Sequence, residues 1–113
     1  MPSIALHDWR TRRADRLTRL QAAHATVGGT GPGRRWLTEE LNHALVLRLA
    51  AEFQGFARDL HTEAAKAVAA SLAAGIPSRE QALQRAFLTA RRLDRGNATE
   101  TALAHDFGLL GLD

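Results

Sequence analysis

Cysteine and tyrosine are absent from this 113-residue chain, and proline occurs only three times. Without cysteine, the chain has no disulfide framework, no thiolate metal site and no cysteine nucleophile. The scarcity of β-branched residues and the abundance of Ala, Leu and Arg favour helix over strand. The sequence therefore predicts an all-α fold, and its length fits one domain, which we assign to residues 1–113.

Long apolar runs are also missing. No segment approaches the roughly 18–20 consecutive apolar residues of a membrane span. Charged side chains interrupt the N-terminal stretch at Asp8, Arg10, Arg12 and Arg13. A secretory signal is therefore not expected, and the sequence predicts a cytoplasmic protein that does not contact the membrane.

The net charge of +3 conceals an asymmetry along the chain. Residues 1–36 carry seven Arg and two Asp, a balance of +5, whereas the remainder carries eight basic and ten acidic residues. An uneven distribution of this kind indicates either an anionic partner such as RNA or simply a solvated basic helix face. The candidate nucleic-acid-binding residues are Arg12, Arg13, Arg16, Arg19 and Arg35.

Four helices follow from the apolar periodicity and the turn residues. The first spans residues 4–27 with Ser3 as its N-cap, and the Gly-rich stretch 28–35 connects it to the second. The third begins with a capping box of Ser78 and Gln81, extends through Leu93 and ends at Gly96. A short fourth helix begins after Thr99 and ends at Gly108. The apolar tail beyond it, at Leu109, Leu110 and Leu112, is expected to lack cover.

The second helix is very long and is predicted to begin after Thr38 and to stop at Gly75 and Pro77. Apolar residues recur along it every three or four positions and define one stripe. We expect this stripe to be longer than the other helices can cover, so a homodimer is predicted. The stripe consists of Leu41, Leu45, Leu49, Phe53, Phe56, Leu60, Ala64, Val68 and Leu72.

Several motifs resemble functional sites but have simpler explanations. The Gly28–Arg35 stretch lacks the Lys-Ser/Thr pair and the preceding strand of a phosphate-binding loop, so a helix connection is favoured. Glu40 and His43 have the spacing of a di-iron ligand pair, but no second such motif exists. No metal and no cofactor are expected. The aromatic residues Trp9, Trp36, Phe53 and Phe56 fit a helical core better than base stacking, above all Phe53 and Phe56.

The pair Arg58 and His61 lies on one side of the long helix, where a guanidinium and an imidazole can in principle stabilise a phosphorane and transfer a proton. Two polar residues on a solvated or interfacial helix face are a far commoner arrangement. No catalytic residue is assigned, and this pair is the weak candidate.

The stretch GTGPGRRWLTEELNHALVLRLAAEFQGFARDLHTEAAKAV (29–68) resembles the opening of RiboL-PSP-HEPN-like proteins. The segment LDRGNATETALAHDFGLLGLD (93–113) resembles their later Asn-containing turn and Leu-Gly helix. The resemblance implies a HEPN-like antiparallel helical bundle, commonly dimeric, in a family that includes metal-independent ribonucleases of toxin–antitoxin and phage-defence systems. A cognate antitoxin or other partner protein is implied as well.

The family's catalytic motif, Arg-x4–6-His on a late helix, matches no position of this sequence. Arg58 and His61 are too close together, Arg95 and His105 have nine residues between them, and the late helix would lie beyond Asp113. Gln54 also stands where relatives often have Glu. Two hypotheses follow: a HEPN-like protein linked to RNA but catalytically inert, or a non-enzymatic dimeric interaction module that binds or regulates a partner.

Overall fold

The computed structural model describes residues 2–27 and 34–112, and these residues form four helices and no strand. The all-α fold predicted from composition is thus confirmed for the described residues. The molecule is elongated, with extents of 65 × 26 × 21 Å and a radius of gyration of 18.8 Å. A compact chain of this length has a radius of gyration of about 13 Å. The elongation follows the second helix, whose 40 residues span about 60 Å.

The first helix covers residues 4–27, as predicted, but it is not α-helical throughout. Two α-helical parts, Ile4–Asp8 and Ala14–Val27, flank a π-helical turn at Trp9–Arg13. The predicted Ser3 cap is confirmed, because its Oγ accepts a hydrogen bond from the Leu6 N–H at 3.1 Å. The Glu63 carboxylate also accepts hydrogen bonds from the backbone N–H groups of Ile4 and Ala5, so the long helix caps the first.

The long helix runs from Arg34 to Ala73 and begins earlier than predicted. Thr38 lies inside it, because Arg34 and Arg35 follow the last glycine of the connection and arginine is a good helix former. The remainder of the predicted connection, 28–33, lies outside the described residues. The predicted stop is confirmed: Ala74 and Gly75 have φ of 51° and 82°, and Pro77 begins the next helix.

The third helix, Pro77–Leu88, departs from prediction at both ends. Its N-cap is Ile76, which makes no side-chain capping bond, so the predicted capping box of Ser78 and Gln81 is wrong. Proline at the first helical position supplies the required φ instead. The helix also does not extend to Leu93. Ala90 has φ of 58°, and a 3₁₀ turn, Arg92–Asp94, precedes the fourth helix, Glu100–Gly108, whose predicted Thr99 cap is confirmed.

The buried face of the long helix is not the predicted stripe. The buried residues of the long helix recur every four positions on a neighbouring side of that helix and are mostly alanines. Their small side chains let the segment that follows the long helix pack closely against it. They are Ala57, His61, Ala65, Ala69 and Ala73. Leu93 of the 3₁₀ turn and Ala102 of the fourth helix pack against Ala57. Leu49, Phe53 and Leu72 of the predicted stripe are exposed.

Candidate interaction surface

Four apolar residues in the N-terminal half of the long helix form a continuous exposed surface, which we call the 46–53 face. Val46, Leu49, Ala50 and Phe53 are spaced i, i+3, i+4 and i+7, so they share one side of the helix. Val46 is 64% exposed, Leu49 48% and Phe53 38%. Leu47, beside this face, is 71% exposed. Apolar residues spaced in this way on a helix surface usually pack against another helix.

The 3₁₀ turn Arg92–Asp94 covers the same side of the long helix, but this cover reaches only as far as Gln54. The 46–53 face, which precedes Gln54, therefore stays exposed. The Gln54 Nε2 donates to the backbone carbonyls of Leu93 and Gly96, the latter at 2.6 Å. These bonds hold the 3₁₀ turn over Ala57. Toward the N-terminus of the long helix, no described segment continues this cover. The predicted exposure of the tail is only partly right, since Leu109 and Leu112 are exposed but Leu110 is buried.

The first helix packs along the adjacent side of the long helix, where Leu17 and Gln21 border Val46 and Leu49, and it is held there by a polar cluster around Arg13. Arg13 Nη1 donates to Glu52 Oε2 at 2.8 Å, and its Nη2 donates to Asp59 at 2.9 Å. Trp9, one turn earlier, lies 5.2 Å from Phe56 between ring centroids. Phe56 is therefore half-buried against Trp9 and is not one of the buried core residues, whereas Phe53 meets Trp9 edge-on and is exposed.

Glu52 is the buried centre of this cluster, with 3% of its surface exposed. Its Oε1 is shared by Arg16 Nη1 at 3.3 Å and Arg48 Nη2 at 3.1 Å. Burial raises the pKa of the Glu52 carboxyl, but hydrogen bonds from Arg13 and Arg16 outweigh it and leave that pKa below its ordinary value. Glu52 is therefore a carboxylate at neutral pH and anchors three guanidinium groups.

The predicted nucleic-acid-binding arginines do not form a free basic stripe. Arg12 makes a two-bond pair with Asp8 at 2.7 Å, Arg13 is enclosed by carboxylates, and Arg19 pairs with Asp15 at 3.0 Å. Arg16 contacts only Glu52 among the described residues. The side chain of Arg35 lies outside the described residues. Most of the positive charge expected on this helix is therefore neutralised locally, and RNA binding stays a prediction.

The weak catalytic candidates are placed in different environments. Arg58 is exposed, whereas His61 is completely buried. The His61 Nε2 lies 3.0 Å from the Asp106 carbonyl and its Nδ1 lies 3.3 Å from Arg91 Nη1. Since arginine only donates, Nδ1 accepts, and Nε2 carries the proton and donates to the carbonyl. Both ring nitrogens are thus occupied within the protein, and the ring also meets Phe107 edge-on.

Asp106 organises the C-terminal segment. Its buried carboxylate accepts hydrogen bonds from the backbone N–H groups of Arg92 and Leu93 at 3.0 and 2.8 Å. His105 Nδ1 lies 2.9 Å from the same carboxylate. Burial raises the pKa of Asp106, but the bonds from His105, Arg92 and Leu93 together bring it below its ordinary value. A buried carboxylate therefore fixes the 3₁₀ turn to the fourth helix, and the backbone carbonyl of the same residue binds His61 of the long helix.

Neither a metal site nor a membrane span is found in the described part of the chain. No group of three or more His, Cys, Asp or Glu residues is arranged to hold an ion, which includes Glu40 and His43. No helix among residues 2–27 and 34–112 is long and apolar enough to cross a bilayer.

Three features of the structure were not predicted from the sequence. Val46 and Ala50 adjoin the predicted stripe, but the stripe itself was expected to carry the contacts. Arg48 belongs to the arginine cluster although it lies on a different helix from the other arginines. Asp106 and Gln54 act over 13 to 42 residues of sequence, and no local pattern indicates such contacts.

Comparison with known proteins adds no relative. No protein-family model, no curated protein and no solved structure matches this chain.

Proposed function

We propose that this chain is a non-enzymatic helical interaction module, HEPN-like in its architecture, that self-associates through the 46–53 face. The observation that carries the proposal is a continuous apolar surface at helical spacing on a helix that the other described helices do not fully cover. Contiguous exposed apolar surface generally marks an interaction site. A second copy is the partner because it presents the same face with the same spacing.

The surface area supports association between two copies. The chain exposes 7885 Å², whereas a compact monomer of its mass exposes about 6,100 Å². The excess is larger than the roughly 800 Å² that each partner contributes to an interface of standard size. Pairing of two long helices therefore removes surface that folding of one chain leaves in water.

The boundaries of the 46–53 face suggest how the copies meet. The face ends at the polar Asn42 on one side and at the Gln54-bound turn on the other. A twofold interface pairs a patch with itself, so its centre lies on the symmetry axis. The centre of this face falls between Leu49 and Ala50. Antiparallel pairing at that point sets Val46 of one copy beside Phe53 of the other, with the small Ala50 where the backbones come closest.

Substitution of Val46→Glu tests this proposal, because Val46 is the most exposed of the three large residues of the face. A buried carboxylate without a partner at the interface costs several kcal/mol. Light scattering after gel filtration should give a dimer for the parent chain and a monomer for Val46→Glu. The matched control is Ala70→Glu, an exposed position of the same helix outside the face, which should remain dimeric. Equal masses for the two variants would show that the copies do not associate through the 46–53 face.

The resemblance to HEPN proteins links the module to RNA metabolism or phage defence, and we propose that this chain does not itself cleave RNA. The support is the closed environment of His61, whose ring nitrogens are both engaged and which water does not reach. Labelled tRNA incubated with the protein and a chelator should remain intact. Cleavage that disappears in both Arg58→Ala and His61→Gln would assign those residues a catalytic role.

An antitoxin or another protein is the alternative partner for the same face. In that case the purified chain should be monomeric by light scattering, and co-expression with a neighbouring gene product should yield a complex that Val46→Glu disrupts and Ala70→Glu leaves intact. That result would retain the interaction surface and replace the second copy as its occupant.

A further inference from the structure

The first and long helices enclose a recess of about 330 Å³ on the side away from the 46–53 face. Three arginines line it, Arg16 and Arg19 from the first helix and Arg48 from the long helix, together with the apolar residues Leu20 and Ala23. Arg48 is two residues from Val46 and therefore lies about 200° around the helix from it. The recess and the proposed dimer surface are thus separate.

The charges around the recess are unbalanced. Arg13, Arg16 and Arg48 all bind the single Glu52 carboxylate. Arg13 has further acidic partners in Asp8 and Asp59, but Glu52 is the only carboxylate within ion-pair distance of Arg16 and Arg48 among the described residues. The guanidinium groups of Arg16 and Arg48 therefore share the single negative charge of Glu52, and both contact its Oε1 atom. Positive charge remains on the side that faces the recess.

Most of the hydrogen-bond donors of these two arginines are unused. A guanidinium has five N–H donors, and Arg16 and Arg48 each make one ion-pair contact, to Glu52 Oε1. Both side chains are partly open to solvent, at 39% and 46%. Arg19, at 80%, pairs with the exposed Asp15 on its own helix and with no other residue that the structure describes. Guanidinium groups with free donors bind tetrahedral oxyanions well, above all phosphate, through pairs of parallel hydrogen bonds.

We infer that this recess binds a phosphate monoester whose organic part is apolar. The phosphate group contacts Arg16 and Arg48, Arg19 closes the outer edge, and the organic part lies on Leu20 and Ala23. The buried Glu52 positions the two guanidinium groups and prevents them from moving apart. The site differs from the basic stripe expected from the sequence, because Arg12 and Arg13 take no part and Arg48 of the other helix does.

Titration with phenyl phosphate, followed by backbone amide NMR at constant ionic strength, tests this site. We expect saturable shifts at the amides of Leu20, Ala23 and Arg48. Inorganic phosphate should bind the same residues more weakly, because it leaves Leu20 and Ala23 in contact with water. Phenol, which lacks the phosphate, should produce no saturable shift. Equal affinities for phenyl phosphate and inorganic phosphate would overturn the assignment of an ester ligand.

Variants distinguish this recess from general anion attraction. Loss of one charged hydrogen-bond partner should weaken phenyl phosphate binding about tenfold in Arg48→Gln. Because Arg48 contacts Glu52, Arg19→Gln provides a second variant without a contact to the buried cluster, and it should weaken binding about threefold. Arg10→Gln, an exposed position of the first helix, should bind like the parent chain. If all three variants bind alike, or if no shift saturates, the recess is not a phosphate site.

Discussion

The guanidinium of Arg13 lies over the α-carbon of Gly55, so closely that a methyl group at residue 55 would come within 2.5 Å of Nη1. The π-helical turn Trp9–Arg13 directs this side chain, and Glu52 and Asp59, each about one helical turn from Gly55 on opposite sides of it, bind it. The absence of a side chain at Gly55 therefore admits the Arg13 guanidinium between the two helices.

Gly55→Ala should therefore destabilise the fold, although alanine is the better helix former by about 1 kcal/mol. Displacement of Arg13 from its carboxylates should dominate, and we expect a net loss of about 1–3 kcal/mol in the free energy of unfolding. Urea denaturation measures the change. Gly108→Ala is the control, since a methyl group there meets no atom within 4 Å, and it should be neutral or slightly stabilising. A stabilised Gly55→Ala protein would contradict the close approach of Arg13.

Asp106→Asn should loosen the C-terminal segment. An amide oxygen cannot replace both carboxylate oxygens, so at least one of the two backbone N–H groups in the 3₁₀ turn loses its acceptor. We expect a loss of about 1–3 kcal/mol in the free energy of unfolding. The control is Asp94→Asn in the same turn, which breaks only the partly exposed pair with Arg91 and should cost about 0.5 kcal/mol. Amide hydrogen exchange at Leu93 should accelerate in the first variant alone. Equal protection in both would exclude the carboxylate as the clamp.

Stability should fall as the pH falls from about 7 to about 5. Burial lowers the pKa of His61 in the folded protein, and the hydrogen bond to the Asp106 carbonyl opposes this shift only in part, while the charge of Arg91 adds to it. The unfolded chain therefore binds a proton at a pH where the folded chain resists it. The free energy of unfolding then decreases by at most about 1.4 kcal/mol per pH unit, and the decrease begins near the unfolded pKa of about 6.5.

Urea denaturation at a series of pH values checks this, with His61→Gln and His7→Gln for comparison. His61→Gln keeps a side-chain N–H donor but cannot be protonated, so its stability should vary less over this range. The exposed His7 is the control, and His7→Gln should follow the parent chain. An imidazole NMR titration that places the His61 pKa above 6.5 in the folded protein would contradict the prediction.

Ala50→Cys should form a disulfide-linked dimer, because Ala50 lies beside the proposed symmetry axis. The parent chain has no cysteine, so a single introduced thiol reports on one position only. Non-reducing electrophoresis after mild oxidation measures the crosslink. Ala70→Cys, also exposed on the long helix, should remain uncrosslinked at the same concentration. Equal crosslinking at both positions would indicate random collision rather than a defined axis.

Local signals in the sequence account for most of the helix boundaries. Ser3 and Thr99 as caps and Gly75 with Pro77 as a stop are found where the sequence predicts them, because each acts on backbone within a few residues. The predicted capping box of the third helix is wrong because Pro77 occupies the first helical position, where a proline makes a capping side chain unnecessary. The long helix begins earlier than predicted, at Arg34, because residues with high helix propensity follow directly after the last glycine.

Contacts between residues that are far apart in the sequence account for the predictions that were wrong. Spacing alone ranks the leucines of the long helix above its alanines, yet close packing of the C-terminal segment selects the Ala57–Ala73 row. Spacing also aligns Arg12, Arg16 and Arg19 on one side of the first helix. It does not reveal that Glu52, 36 residues from Arg16, draws Arg16 and Arg48 together. The candidate recess therefore required the structure.

Self-association through the 46–53 face is the central claim, and sedimentation equilibrium of the unmodified chain tests it most directly. The predicted result at tens of micromolar is a mass twice the monomer's 12.3 kDa, with dissociation only on strong dilution. A mass of one chain at every concentration measured would contradict it.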